Sequence, residues 1–173
     1  MAKQATAKVS VTALGQVRIF APLEEDQLTT LTEQCSWTRY EATSEILAQD
    51  TPCDEVYFIC SGRVSAKTFS DNGKEITFAE LVKGDVFGEL SALDGRPRSS
   101  FVVTLEESLL ASLPASVFND FLDTHPKVMR ALMIELAGRL RRADEKVFEF
   151  STLNASNRIH AELLRLASTH PTE

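Results

Sequence analysis

The sequence has no excess of positive charge and no long apolar run. Its 173 residues carry 18 Lys and Arg against 25 Asp and Glu, a formal net charge of −7 with a pI of about 5.1. Nucleic acids and anionic membranes attract basic surfaces, so this balance argues against either as a direct partner of this chain. No apolar stretch approaches the roughly 18 residues of a transmembrane helix, and residues 1–7 lack the apolar centre of a signal peptide. We therefore expect a cytoplasmic protein that does not bind membranes.

Cysteine and histidine are scarce, which limits the chemistry open to the chain. The three cysteines are Cys35, Cys53 and Cys60. They are odd in number and have no C-x-x-C spacing, so we expect reduced, partly buried thiols. The three histidines are scattered over the C-terminal half, at His125, His160 and His170. No clustered metal ligands, haem ligands or nucleophile–base pair are present, so the sequence predicts neither a metal site nor an enzyme.

Short β-branched and aromatic runs alternate with turn signals between residues 37 and 113. The predicted strands are Val56–Ile59, Val64–Phe69, Glu75–Leu81, Phe101–Thr104 and Leu109–Leu113. Asn72-Gly73 between two of them is a strong hairpin signal. Short strands at regular intervals with frequent turns indicate an antiparallel roll, barrel or sandwich.

Helical patterns flank this β region on both sides. Residues 1–17 are small, polar and weakly patterned, so we expect a loose arm there. A helix is predicted over 23–35, where Pro22 and three acidic residues suit the first turn. A second helix is predicted over 115–123, ended by His125-Pro126.

The longest helical pattern covers residues 126–150. Its main apolar stripe, with spacings of three and four, consists of Val128, Leu132, Leu136, Leu140, Ala143, Val147 and Phe150. Met129, Met133 and Ala137 form a second stripe beside it. A helix this long and apolar on two sides suits a homodimer seam. The alternative is that both stripes pack on the β region.

One segment combines features that suit a small anion. Gly88, without a side chain, precedes a short helical run that begins at Glu89 and ends at Asp94-Gly95. Arg98 follows as a cation that can pair with a phosphate. Glu89 can accept a hydrogen bond from a sugar hydroxyl. A cyclic mononucleotide offers both groups, whereas the alternative interpretation is an ordinary acidic helix start.

The same segment resembles the phosphate-binding cassette of cyclic-nucleotide-binding domains, in residues 87–93 and 95–100. The whole chain is similar to the sensor half of the catabolite activator (cyclic-AMP receptor protein) and FNR family of transcription regulators. The resemblance implies an eight-stranded β-roll, jelly-roll-like, with a long C-terminal dimerisation helix. It implies a ribose contact for Glu89 and phosphate contacts for Arg98 and its neighbour. The full set of implied ligand-binding residues is Gly88, Glu89, Leu90, Ser91, Arg98, Ser99 and Ser100.

Two departures from the family pattern affect the details. Asp50 stands where many relatives have a glycine, before an early hairpin. Where the catabolite activator has two hydroxyl residues touching adenine, this chain has Ala143 and Asp144. Asp144 can accept from an adenine or a guanine edge, and Arg142 is a further candidate base contact, although we favour a solvated charge for it. Ser99 suits either purine, so the effector is cAMP or cGMP.

The resemblance also divides the chain. We expect residues 1–125 to form the nucleotide-binding roll with its flanking helices and 126–150 the dimerisation helix. Residues 151–173 would be a hinge and the first helix of a DNA-binding domain, whose helix-turn-helix is not in this chain. DNA would then be reached only through that missing domain.

Two alternatives of other classes stay open. The first is a regulatory domain of an enzyme or a channel, which a catalytic or membrane domain in the parent gene would indicate. The second is a fold relative that senses another small anion or serves only as a dimerising scaffold. Nucleotide binding that depends on Arg98 and Glu89 would argue against the second.

Overall fold

The computed structural model describes residues 11–52, 55–70 and 72–152. Its contacts divide the chain into two units, Met1–Ala131 and Leu132–Glu173. The helices are α1 Val11–Leu14, α2 Glu25–Gln34, α3 Glu89–Asp94, α4 Ala115–Thr124 and α5 Pro126–Thr152. The strands are β1 Ser36–Tyr40, β2 Glu45–Leu47, β3 Glu55–Ser61, β4 Arg63–Phe69, β5 Glu75–Val82, β6 Val86–Phe87, β7 Phe101–Thr104 and β8 Ser108–Pro114.

The eight strands form two four-stranded antiparallel sheets. One has the order β1-β8-β3-β6 and the other β2-β7-β4-β5. Consecutive strands therefore often lie in different sheets, which is the topology of a roll. The predicted antiparallel β-roll with flanking helices and a long C-terminal helix is confirmed.

The core of the roll is built from side chains that both sheets direct inward. Its buried members are Leu47, Tyr57, Ile59, Val64, Leu81, Phe87, Val102 and Leu110. Burying each large apolar side chain contributes about 1.5–3 kcal/mol relative to leaving it exposed. These residues alternate with outward-facing ones along their strands, as the pleat requires.

Strand β3 is apolar on both faces because it is covered on both. Tyr57 and Ile59 face the roll core, while Phe58 contacts aromatic side chains of the helical layer, which consists of the 3-10 helix Arg18–Phe20 and α4. The Phe58 ring lies 4.8 Å from the ring of Phe20 and 6.0 Å from that of Phe118 on α4. A strand with two covered faces reads as a continuous apolar run rather than an alternating one.

The expected loose arm is wrong for residues 11–17. Val11–Leu14 forms a helical turn, and both Leu14 and Val17 are fully buried. Burial of these two side chains orders the segment. Residues 1–10 lie outside the described part of the chain.

The ends of the predicted elements lie within two residues of those in the structure. Helix α2 begins at Glu25, two residues later than predicted, because Glu24 and Gln27 form a reciprocal capping box there. Helix α5 continues through Thr152, two residues past the predicted end. The predicted last helix and residues 153 and 154 of the hinge lie outside the described residues. Strands β1, β2 and β6 were not predicted from the residue pattern.

Helix α5 carries exposed apolar side chains between residues 133 and 148. Met133, Leu140 and Val147, seven residues apart, are 55%, 64% and 65% exposed. Ile134 and Phe148 are exposed beside them. Within the described residues, no helix is both long enough and apolar enough to cross a bilayer.

Candidate functional site

The candidate site is built on the chain between β6 and β7. Helix α3 is bounded at both ends by glycines in the left-handed region, Gly88 with φ +79° and Gly95 with φ +69°. L side chains rarely adopt this conformation, so glycine lets the chain turn sharply into and out of the helix. Asn119 of α4 donates to the carbonyl of Ala92 at 2.8 Å and so attaches α3 to the helical layer.

Arg98 is the central charged group of this segment. Its side chain is only 4% exposed. Nη1 donates to the carbonyl of Gly88 at 2.8 Å, and Nη2 donates to the carbonyl of Glu55 at 2.6 Å. Two backbone carbonyls from separate parts of the chain therefore fix the plane of the guanidinium.

The guanidinium retains hydrogen-bonding capacity after these contacts. Its Nε is buried and donates to no acceptor in the described structure. No carboxylate of the described residues forms an ion pair with Arg98. A buried cation without a counter-ion costs several kcal/mol, so this position favours a bound anion.

The backbone of Arg98 is also held in place. Its N–H donates to Thr51 and its carbonyl accepts from Asp50, both at 3.1 Å. Asp50 adopts φ +59°, in the left-handed region. The turn at Asp50 therefore uses the left-handed conformation with an aspartate, one of the side chains that tolerate it.

The other predicted ligand-binding residues lie on α3 and the loop that follows it. Glu89 is the first residue of α3 and is 2% exposed. Ser91 is buried and its hydroxyl donates to the carbonyl of Pro97 at 3.4 Å. Leu90 is 48% exposed, Ser99 is exposed and Ser100 is half-buried. All seven residues belong to the first unit.

The candidate base contacts lie elsewhere in the chain. Arg142, Ala143 and Asp144 are consecutive, exposed residues of α5 in the second unit. They stay a prediction.

Sequence reasoning missed a polar cluster next to Arg98. The Glu55 carboxylate accepts from the Tyr57 hydroxyl at 2.8 Å and from the Ser112 hydroxyl at 3.0 Å. The Tyr57 ring stacks on Phe87 with centroids 5.1 Å apart. Burial, followed by the hydrogen bond to Glu55, raises the pKa of Tyr57 well above its usual range. The period of two along β3 puts Glu55 and Tyr57 on one face, but their partner on β8 cannot be read from the sequence.

A cavity on the surface of the first unit lies away from the cassette. It has a volume of about 460 Å³ and lies between α2 and α4, and its lining includes Leu31, Phe121 and His125. None of the predicted site residues lines it. Among the described residues, no group of three or more His, Cys, Asp or Glu side chains is arranged to hold a metal ion.

Comparison with known proteins gives consistent results. The family model described as cyclic nucleotide-binding domain matches residues 37–125. The CRP-like cAMP-activated global transcriptional regulator of Mycobacterium tuberculosis is 28% identical over 160 residues, which cover 92% of this chain and 71% of that protein. The cAMP-activated global transcriptional regulator CRP of Escherichia coli is 28% identical over 156 residues, covering 87% and 74%.

A solved structure extends this likeness to the fold. The catabolite activator protein of Thermus thermophilus superposes with a TM-score of 0.69 at 28% identity. The match covers 78% of this chain and 63% of that one.

Proposed function

The chain belongs to the family of cyclic nucleotide-binding domains, and we propose that it is the sensor part of a dimeric transcription regulator controlled by a cyclic purine nucleotide. Similarity to transcription regulators extends well beyond the residues that the family model matches. That extent supports the regulator over a regulatory domain of an enzyme or a channel.

The buried guanidinium of Arg98 is the observation that carries the proposal. Two carbonyls orient it, its Nε has no acceptor, and no carboxylate of the described residues pairs with it. A cyclic phosphate supplies a negative charge and oxygen acceptors in one group. Bound there, it would neutralise the buried cation and accept from the unused donor.

The ribose is the second group that the site would recognise. Glu89 is buried at the start of α3, close in sequence to Gly88, whose carbonyl accepts from Arg98. In a cyclic nucleotide the phosphate occupies the 3′ and 5′ oxygens, so the 2′-hydroxyl is free to donate to a carboxylate. We assign this contact to Glu89, and phosphate contacts to Ser99, Ser100 and the backbone of residues 88–91.

The base is assigned to α5. Asp144 offers two acceptor oxygens, and Arg142 and Ala143 lie beside it in the helix. Adenine presents one exocyclic amine and guanine presents two adjacent donors, so a carboxylate can serve either purine. The regulators that resemble the chain are named as cAMP-activated, so cAMP is the first ligand to test and cGMP the second.

We assign the dimer interface to the same helix, α5. Met133, Leu140 and Val147 are exposed and seven residues apart, which is the repeat of a coiled-coil seam. Isolated exposed apolar residues need no explanation, but a regular row along one helix does. A second copy of α5 is the occupant we propose.

Calorimetric titration of the protein with cAMP and with cGMP tests the proposal. We expect saturable binding of one of them, and the affinity ratio gives the purine preference. Arg98→Leu should weaken binding by roughly a hundredfold or more, because it removes a charge-assisted contact with the phosphate. Arg96→Leu is the matched control, since this arginine of the same loop has an 84% exposed side chain and should leave affinity unchanged.

The ribose contact has its own test. The protein should bind cAMP more tightly than its 2′-deoxy analogue, and Glu89→Ala should remove that difference. If neither cyclic nucleotide binds, the proposed ligand is wrong. If binding is intact in Arg98→Leu, the site assignment is wrong.

A further inference from the structure

Glu55 contributes two groups with opposite effects on the cation. Its backbone carbonyl accepts from Nη2 of Arg98 and helps to orient the guanidinium. Its side chain is a carboxylate, which is the natural partner of an arginine. Yet no ion pair joins the two side chains, and the Glu55 carboxylate instead accepts from two hydroxyls.

The strand register explains why these two hydroxyls meet Glu55. Residues 55 and 57 lie on the same face of β3, because side chains alternate along a strand. Ser112 of β8 is the direct cross-strand partner of Tyr57. One carboxylate oxygen accepts from Tyr57 and the other from Ser112, so each oxygen has a donor.

The tyrosine is itself held by the strand on its other side. Phe87 of β6 is the cross-strand partner of Tyr57, and their rings lie almost parallel, at 8°. Tyr57 is 8% exposed and Ser112 is 6% exposed, so both donors belong to buried residues. Glu55 is itself half-buried, so these two fixed donors replace part of the hydration of its carboxylate.

We propose that Tyr57 and Ser112 are positioning residues that hold the Glu55 carboxylate away from Arg98 and so keep the guanidinium available to the phosphate. The inference rests on the proposed function of the site. Without the two hydroxyls, the Glu55 side chain would turn toward the buried guanidinium of Arg98, whose Nη2 already donates to the Glu55 carbonyl, and pair with it. The Glu55 carboxylate belongs to the residue whose carbonyl already contacts the guanidinium, so it would compete with the phosphate for Arg98 at a high effective concentration. Phosphate binding would therefore weaken.

The test compares cAMP binding by the whole chain and its variants in a calorimeter, with cGMP used if it is the tighter ligand. The double variant Tyr57→Phe/Ser112→Ala removes both hydroxyls and should bind roughly tenfold more weakly. Adding Glu55→Gln removes the competing charge while keeping the length of the side chain and the backbone carbonyl. This triple variant should regain most of the lost affinity.

Tyr40→Phe is the matched control for loss of a tyrosine hydroxyl. Burial, and after it the charge of Glu55, raises the pKa of Tyr40, so this residue lies near the same carboxylate. Tyr40 donates no hydrogen bond to Glu55. We therefore expect the affinity of the Tyr40→Phe variant for the nucleotide to stay within about twofold of that of the parent protein. Thermal melts check that each variant is folded, and the two single variants replace the double one if it unfolds.

The outcomes separate this inference from the proposed function. Weaker binding that Glu55→Gln restores supports both. A parent protein that binds while the variants without hydroxyls bind equally well overturns the inference alone. A triple variant that binds the nucleotide as weakly as the double variant also overturns the inference alone, because the two hydroxyls would then affect binding only through packing. A parent protein that binds no cyclic nucleotide overturns both.

Discussion

At the scale of the residue, the site requires a glycine at position 88 for two separate reasons. The φ of Gly88, +79°, lies in a region that L side chains rarely adopt. In addition, a Cβ built there would lie 2.5 Å from Nη1 of Arg98 and 3.1 Å from the carbonyl of Glu55. The same glycine carbonyl accepts from that Nη1. Gly88 therefore permits the turn and also leaves the space that the guanidinium occupies.

Gly88→Ala and Gly95→Ala separate these two effects. Both glycines adopt the left-handed conformation, so either substitution should cost about 1–2 kcal/mol of stability. A Cβ at Gly95 meets no atom within 4 Å, whereas one at Gly88 would displace Arg98. We expect both variants to melt earlier, and only Gly88→Ala to lose roughly tenfold or more in nucleotide affinity. Equal affinities in a titration of the two variants would contradict this assignment.

The part of the site that depends on neighbouring residues could be predicted from the sequence. Gly88, Glu89 and Arg98 lie within eleven positions, so their types and spacing are visible in one segment. The contacts of Arg98 with the carbonyl of Glu55 and the backbone of Thr51 join residues more than forty positions apart. Such contacts follow from strand register and turn geometry, which a single sequence does not reveal.

At the scale of the element, strands were predicted where the residues have strong β propensity, even where burial is slight, as in β5. Strands β3, β4, β5, β7 and β8 contain the β-branched and aromatic runs, and the two sheets contain all of them. Strand β1 was missed because Ser36 and Arg39 interrupt its β-favouring residues, and β6 because it has only two residues. Short or half-exposed strands take their conformation from their partners rather than from their own composition.

The seam proposed on α5 is a prediction at the same scale. A charge placed in the middle of an apolar helix–helix contact would lose its hydration without gaining a partner. We therefore expect Leu140→Asp to convert a dimer into a monomer in sedimentation equilibrium at micromolar concentration. The fold of the roll should be retained by circular dichroism, because Leu140 is 64% exposed.

Arg141→Asp provides the control for that experiment. Residue 141 is the exposed neighbour of Leu140 in α5 but lies off the seven-residue row. The same carboxylate there should leave the association state unchanged. A parent protein that sediments as a monomer would contradict the proposed dimer.

At the scale of the whole roll, β3 connects packing with the site. One of its faces lies in the roll core and the other meets the aromatic side chains of the helical layer. Its first residue supplies a carbonyl to Arg98. Separation of β3 from either neighbouring layer would therefore displace the guanidinium of Arg98. A cyclic nucleotide that binds only the folded protein should in turn raise the free energy of unfolding.

Two thiols, the buried Cys60 and the half-buried Cys35, report on global unfolding independently of the ligand. Burial raises the pKa of Cys60 from 9.0 to about 11 and that of Cys35 to about 12. A thiol whose pKa is raised in the folded protein stays protonated there, while the unfolded chain releases its proton once the pH passes about 9. The unfolded state then binds fewer protons, so the free energy of unfolding decreases as the pH rises from about 9 to 11.

We expect Cys60 to contribute roughly 1 kcal/mol to this loss of stability between pH 8 and pH 10. Urea unfolding of the parent protein at the two pH values should show the decrease, and Cys60→Ala should show a smaller one, because alanine cannot ionise. The phenols of Tyr40 and Tyr57 also have raised pKa values, but they are common to both proteins and cancel in the comparison. An equal pH dependence in the two proteins would mean that the thiol ionises as readily in the folded state as in the unfolded chain. The thiol of Cys60 would then not be shielded from water in the folded protein.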